Sequence, residues 1–436
     1  MKKRKIKKKV LQFLKPLKWL YPGMGVKRWL LFSFFGIIFI VAGGQFLSGP
    51  TVVFRIEGII LLFVGIVIVT IGIKRILSTF ITVLLPQREE ELVDLVYQKK
   101  HLERGYKIVA IGGGTGLSTL LQGLKQYTSN ITAIVTVADD GGSSGQLRRD
   151  FDVLPPGDIR SCLVALADTE PLMSDLFQYR FDGNTAFAGH SFGNIFILAM
   201  SKVIEDFEEA VKQSSKILAI RGQVVPSTLK KVRLVAELED GTTTCGESEI
   251  TKRENPSSIK RLSLEPPDCE PTKSALDAIN EADVIILGPG SLYTSIIPNL
   301  LIGSMAEAIN NSNAIKIYAC NIMTQHGETD SYKASTHLDA ILNQTKLNKV
   351  DYCIVDNSNI PKELQESYAD ENSVKVEADL DGIKNVGATP IEDNLIRITK
   401  LKGDEKEVIR HNARRLAKSM IDIISIAKTE AAHRKS

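Results

Sequence analysis

Two uncharged apolar runs near the start of the chain limit what it can fold into more than any other feature. They are residues 29–46, WLLFSFFGIIFIVAGGQF, and residues 58–73, GIILLFVGIVIVTIGI, the second flanked by Arg55 and Glu57 before it and Lys74 and Arg75 after it. Wound as a helix, an 18-residue run covers roughly 27 Å, close to the ~30 Å hydrocarbon layer of a bilayer. The first run predicts a membrane-spanning helix. The second predicts a shorter one, extended by Ile56 and by flanking side chains that reach toward water. A secretory signal has a shorter apolar core and a small-residue cleavage site, so a two-helix hairpin is the expectation.

Charge sets the orientation. Residues 1–28 hold eleven Lys and Arg and no acid, whereas the loop at 47–57 has only Arg55 as a base. The excess of positive charge on the cytoplasmic side then predicts a two-span protein of the cell membrane, with both termini and the main domain in the cytoplasm. Anionic lipid headgroups would attract the basic head by roughly 1 kcal/mol per residue. The other 408 residues carry 43 basic against 51 acidic side chains, a balance of −8. Such a body argues against nucleic acid as a partner. The apolar runs hold no ionisable residue, which argues against transport. Gly58, Gly65 and Gly72 recur every seven residues and permit close helix approach, within the hairpin or between copies in a homo-oligomer.

Five cysteines without C-x-x-C spacing and six histidines without H-E-x-x-H point to neither a disulfide framework nor a zinc site. After the hairpin (29–75), residues 76–105 read as a juxtamembrane linker: an interfacial stretch, then a charged helix ending near Gly105. Residues 106–430 form the main domain. Within it, Val/Ile-rich runs at 107–111, 132–137, 283–287, 314–320 and 350–355 alternate with helical periodicity. That alternation predicts an α/β fold, a doubly wound, mainly parallel sheet of Rossmann-like type. Residues 230–265 read as a small β insertion turning at Asp240 and Gly241, and 407–428 as a closing amphipathic helix.

In such a sheet ligands collect beyond the carboxyl ends of the strands. Three loops stand out there. In the first, Gly112, Gly113, Gly114, Thr115 and Gly116 open a helix, an arrangement suited to a phosphate on free backbone N–H groups. Leu117 departs from G-x-G-x-x-G, so tight strand-to-helix packing is nearly as good a reading. The second is ADDGGSSG: Asp139 and Asp140 are candidates to hold Mg²⁺ or ligand hydroxyls, and Gly142, Ser143 and Ser144 offer donors to an anion. Nearly twenty residues separate run 132–137 from a helix expected to be capped by Asp158. In the third, Gly288, Pro289, Gly290, Ser291 and Tyr293 repeat the first loop, so the two together suit a diphosphate. Gly189-His190-Ser191-Phe192-Gly193 fits the G-x-S-x-G of serine hydrolases, but RFDGNTAFA before it is no apolar strand. The preferred reading is a helix start, with His190, Ser191 and Asn194 toward a ligand.

Taken in order, IGGGTGLSTLLQGLK, VADDGGSSGQLRRDF, LPPGDIRSCLVALAD, GHSFGN, LGPGSLYTSIIPNLL and NIMTQHGETDSY resemble the YvcK family, the gluconeogenesis factors, which are related to CofD-type 2-phospho-lactate transferases. The resemblance spans about residues 106–430. It implies a nucleotide-binding α/β domain with UDP-N-acetylglucosamine as ligand, linking carbon metabolism to peptidoglycan precursor supply and cell shape. It also implies influence on the enzyme that makes glucosamine 6-phosphate. Tyr293 and Arg410 match positions resembling nucleotide-sugar contacts, the ring stacking and the guanidinium pairing with a diphosphate. The transferase relatives use Mg²⁺, which makes Asp139 and Asp140 candidate metal ligands and catalytic residues. A regulator and a Mg²⁺-dependent transferase both remain open readings. The typical family member lacks the hairpin, so this chain is expected to work at the membrane.

Overall fold

A computed structural model describes residues 26–84, 100–168, 171–183, 185–253, 257–400 and 406–433. The chain divides into two compact units, Met1–Gln98 and Lys99–Ser436. Most of the basic head and half of the linker expected at 76–105 lie outside the described residues.

In the N-terminal unit, helices Val26–Leu47 and Val52–Leu84 form an antiparallel hairpin. Apolar spans of 22 and 28 residues within them are long and apolar enough to cross a membrane. The second is longer than its uncharged run because the helix continues through Lys74 and Arg75. The glycine seam closes inside the hairpin: a Cβ on Gly65 would lie 2.7 Å from the Gly36 carbonyl oxygen, and one on Gly58 2.9 Å from that of Gly43. Gly72 faces Ser33. Small residues thus bring the two backbones together and leave large side chains such as Phe34, Phe35 and Phe63 exposed.

The C-terminal unit contains strands β1 (Ile108–Gly112), β2 (Ile131–Val135), β3 (Gln223–Pro226), β4 (Arg233–Leu238), β5 (Thr243–Cys245), β6 (Ile259–Glu265), β7 (Val284–Leu287), β8 (Ile315–Ala319), β9 (Tyr352–Asp356), β10 (Thr389–Asp393), β11 (Ile396–Lys400) and β12 (Glu407–His411). Seven of them form one sheet in the order β10-β9-β8-β7-β1-β2-β3, every pair parallel. β1, β2 and β7 are buried along their whole length, as expected for central strands covered on both faces. The doubly wound fold is therefore present. The two strands missed by sequence reading, β3 (QVVP) and β10 (TPIED), are its edges, where proline and charge are tolerated and the apolar signal is weak.

The connections run outward in both directions from β1 and β7, so strand order reverses between them. That reversal opens a crevice at their carboxyl ends. The insertion is a three-stranded antiparallel sheet, β5-β4-β6, with its turn at Asp240–Gly241. Two expectations are corrected. The long acidic loop holds its own helix, Gly142–Phe151, before helix Gly157–Leu166, whose N-cap is Pro156 and not Asp158. The expected closing helix at 407–428 begins as β12, paired antiparallel with β11, and becomes helical over Ala413–His433. Asn412 starts that helix, its Oδ1 accepting the Arg415 N–H at 3.2 Å.

Candidate functional site

The crevice is built from backbone. Gly113 starts helix Gly114–Leu124 with no side-chain cap, and Gly114 has φ +63, a region glycine enters without steric cost. After β7, Gly288 (φ +77) turns the chain, and Ser291 accepts the Thr294 N–H at 3.1 Å to start the helical turn Leu292–Ile296. The two loops touch, because a Cβ on Gly116 would lie 2.4 Å from the Pro289 carbonyl oxygen. Both therefore face a single cavity of about 570 Å³, walled by Gly113, Gly114, Thr115, Gly116, Gly290 and Ser291. Gly288 sits behind this wall.

The same cavity is also lined by Tyr368 and Arg410. Arg410 projects from β12 directly opposite Arg397 of β11, and both are exposed. Like charges facing each other across a strand pair repel, which leaves positive charge available to an anion. Tyr368 accepts the Ile409 N–H on its hydroxyl at 2.8 Å, which ties helix Lys362–Ala369 to β12. Sequence reading passed over Tyr368 because QESYAD looks like any surface helix. Tyr293 lies elsewhere: it is 1% exposed, packs in the core and shares a 2.9 Å hydroxyl contact with Tyr332. Burial and Tyr332 push its phenol pKa far up. Its ring supports the loop from behind and does not line the cavity.

A smaller cavity of about 320 Å³ adjoins the first and shares Gly114 and Thr115 with it. It is lined by Asp139, Gly142, Ser143, Ser144, Asn194 and Arg160, among others. His190, 5% exposed, meets Ser143 Oγ through Nδ1 at 2.9 Å, and Asn194 Nδ2 donates to the same Oγ at 3.0 Å. Ser191 is fully buried, caps helix Phe192–Ile204 and accepts Arg160 Nη1 at 2.5 Å. The stretch before it is irregular, with Gly189 at φ +79. The G-x-S-x-G match is therefore a capped helix start, and no serine-hydrolase elbow is formed.

Carboxylates gather around the two cavities: Asp139 and Asp158 line the smaller, Glu247 and Glu328 the larger, and Asp140 lines neither. Asp139 Oδ1 accepts the Gly141 N–H at 2.9 Å, and Asp140 Oδ1 accepts the Ser248 N–H of the insertion at 2.9 Å. Asp158, unneeded as a cap of its own helix, accepts the Gly114 N–H instead, while burial and then Asp139 raise its pKa to about 6. Glu247 opens the short helix Glu247–Thr251, and burial, then Asp139, Asp158 and Asp140, push it up to about 9. Buried Glu328 takes the Ser291 hydroxyl at 2.5 Å and is also raised, chiefly by burial. Among the described residues, no group of three or more His, Cys, Asp or Glu side chains is arranged to hold a metal ion. Asp139 and Asp140 each keep one carboxylate oxygen outside these bonds. They fit Mg²⁺ only if ligand phosphate and water complete its shell, the usual mode for that ion.

Comparison with known proteins gives a consistent result. The family model for the 2-phospho-L-lactate transferase CofD matches residues 108–396. The gluconeogenesis factor of Bacillus subtilis is 44% identical over 318 residues, covering 73% of this chain and 98% of its own. A relative from Nostoc sp. is 44% identical over 426 residues, 93% of this chain and 91% of its own, a span longer than the C-terminal unit alone. The crystal structure of a UPF0052-family protein from Bacillus halodurans superposes with a TM-score of 0.68 at 45% identity, covering 73% of this chain and 99% of that one.

Proposed function

The chain belongs to the gluconeogenesis factor family, with a CofD-type domain, and on that premise we propose that it is a membrane-tethered regulatory protein that binds UDP-N-acetylglucosamine. One observation carries the reading: two touching glycine loops at the switch point line one cavity together with Arg410 and Tyr368. Backbone N–H groups and a helix start suit a diphosphate, which a guanidinium in the same cavity can pair with. The Tyr368 ring offers a surface for uracil or sugar. The hairpin would hold this cavity beside the membrane steps of wall synthesis, its exposed phenylalanines covered by lipid. Ligand occupancy would then be read by a wall-precursor enzyme such as glucosamine-6-phosphate synthase, linking carbon metabolism to peptidoglycan supply and cell shape.

A second reading, a Mg²⁺-dependent transferase acting on a nucleotide-linked phosphate, draws on the acids around the two cavities. Asp139 and Asp140 would hold the ion, which would offset charge on the phosphates. Calorimetric titration of the protein with UDP-N-acetylglucosamine and other nucleotide sugars, with and without Mg²⁺ and with product analysis, separates the two. Saturable binding without turnover supports the regulator. Turnover that disappears in Asp140→Asn establishes the transferase, and absence of binding by any nucleotide sugar overturns both.

A further inference from the structure

The smaller cavity has unmet hydrogen-bonding demands of its own. Arg160 and Arg180 both line it, and neither forms an ion pair among the described residues. Arg160 gives Nη1 to Ser191 Oγ and Nη2 to Ser161 Oγ, while its Nε is buried without a partner. Arg180 donates from Nη1 to the Gly189 carbonyl at 2.9 Å. Arg160 and Arg180 repel each other, and Asp158 and Asp139 act on Arg160 from the same cavity without pairing with it, so an anion between the two guanidiniums relieves the repulsion. The ten-residue helix Gly142–Phe151 also starts on this cavity without a side-chain cap, adding N–H donors and its positive end.

The opposite demand comes from Asn194. It is 2% exposed and spends Nδ2 on Ser143 Oγ, which leaves Oδ1 buried with no donor. A buried acceptor left unpaired is costly, so a donor from a ligand would be favoured there. Asp139 and Asp158, on the same cavity, are further acceptors and would repel a ligand that is anionic throughout. The cavity thus calls for an anion at one end and hydroxyl donors at the other.

From these complementary deficits we propose that the smaller cavity is a second ligand site, separate from the nucleotide cavity, for a small phosphorylated polyol or sugar. The phosphate lies between Arg160, Arg180 and the start of helix Gly142–Phe151, and hydroxyls donate to Asn194 Oδ1 and the two aspartates. The shared residues Gly114 and Thr115 put such a ligand next to the nucleotide cavity, where it reports a sugar-phosphate pool to the same domain.

The test is calorimetry on the full chain in detergent, titrated with glycerol 3-phosphate, inorganic phosphate or glycerol, with and without saturating UDP-N-acetylglucosamine. Glycerol 3-phosphate is expected to bind one site in both conditions, more tightly than inorganic phosphate, with glycerol silent. Arg180→Gln, an exposed position that should not disturb folding, is expected to weaken glycerol 3-phosphate at least tenfold and leave the nucleotide sugar unchanged. Inorganic phosphate binding as tightly as glycerol 3-phosphate would reduce the site to a bare anion pocket and overturn the proposal. So would competition between the two ligands, unchanged affinity in Arg180→Gln, or no glycerol 3-phosphate binding. If UDP-N-acetylglucosamine fails to bind while glycerol 3-phosphate does, the nucleotide-sugar reading fails and the second site stands.

Discussion

Gly116 and Pro289 are in backbone contact: a Cβ on Gly116 would come within 2.4 Å of the Pro289 carbonyl oxygen. Two loops that follow strands far apart in sequence thereby form one wall of the cavity. Gly116→Ala should push them apart, costing about 1–3 kcal/mol through overpacking against rigid backbone. UDP-N-acetylglucosamine affinity should fall with it. Thermal unfolding and calorimetry on the same variant check both, and an unchanged affinity would show that the ligand does not use the paired loops.

Arg410 and Tyr293 should behave oppositely, although both were candidates on sequence grounds. Arg410→Ala should weaken nucleotide-sugar binding by about 1.5–3 kcal/mol, the range for a hydrogen bond to a charged group, and leave the melting temperature in place. Tyr293→Phe removes only the hydroxyl contact with Tyr332. It should lower stability by about 1 kcal/mol and leave affinity unchanged. Tyr368→Ala is expected to resemble Arg410→Ala in binding.

The acids around the two cavities set a pH dependence. A carboxyl whose folded pKa lies above its unfolded value favours the protonated native state, so its charging destabilises the fold as pH rises. For Glu247 the loss accumulates from 4.5 to about 9, and for Asp158 from 3.8 to about 6. Glu247→Gln removes the first of these losses. The variant and the parent should melt together at the acid end of that range, and the variant should melt several degrees higher at the alkaline end. A constant difference across the range would show that Glu247 is not charging against its neighbours.

Removal of residues 1–98, the whole N-terminal unit, should move the protein from the membrane fraction to the soluble fraction with nucleotide-sugar affinity retained. Fractionation of the intact chain is the control. If the intact chain is already soluble without detergent, membrane tethering is wrong.

Much of this was legible in the sequence because the signals are local. An uncharged run of 18 residues has few folded outcomes, and the central strands announce themselves as unbroken Val/Ile segments. Edge strands β3 and β10 escaped because half their hydrogen-bonding surface needs no apolar neighbour. Helix Gly142–Phe151 escaped because its glycines and serines have poor helix propensity, and contacts such as the bond from Arg148 Nη2 to the Val232 carbonyl hold it instead. Glu247 and Ser248 were invisible as site residues because they come from the insertion, more than 100 positions after Asp139 and Asp140.

By itself the sequence determined the hairpin segments, the parallel sheet and the glycine loops, since hydrophobic period and glycine's backbone freedom act within a few residues. Only the tertiary structure decided which side chains face the cavities. It turned Tyr293 into the core and brought Tyr368 and Arg410 to the cavity, and it left Asn194 Oδ1 and Arg160 Nε buried without partners. Those outcomes depend on how distant elements pack and on which polar groups packing leaves unpaired, and neither is a property of a local stretch of chain.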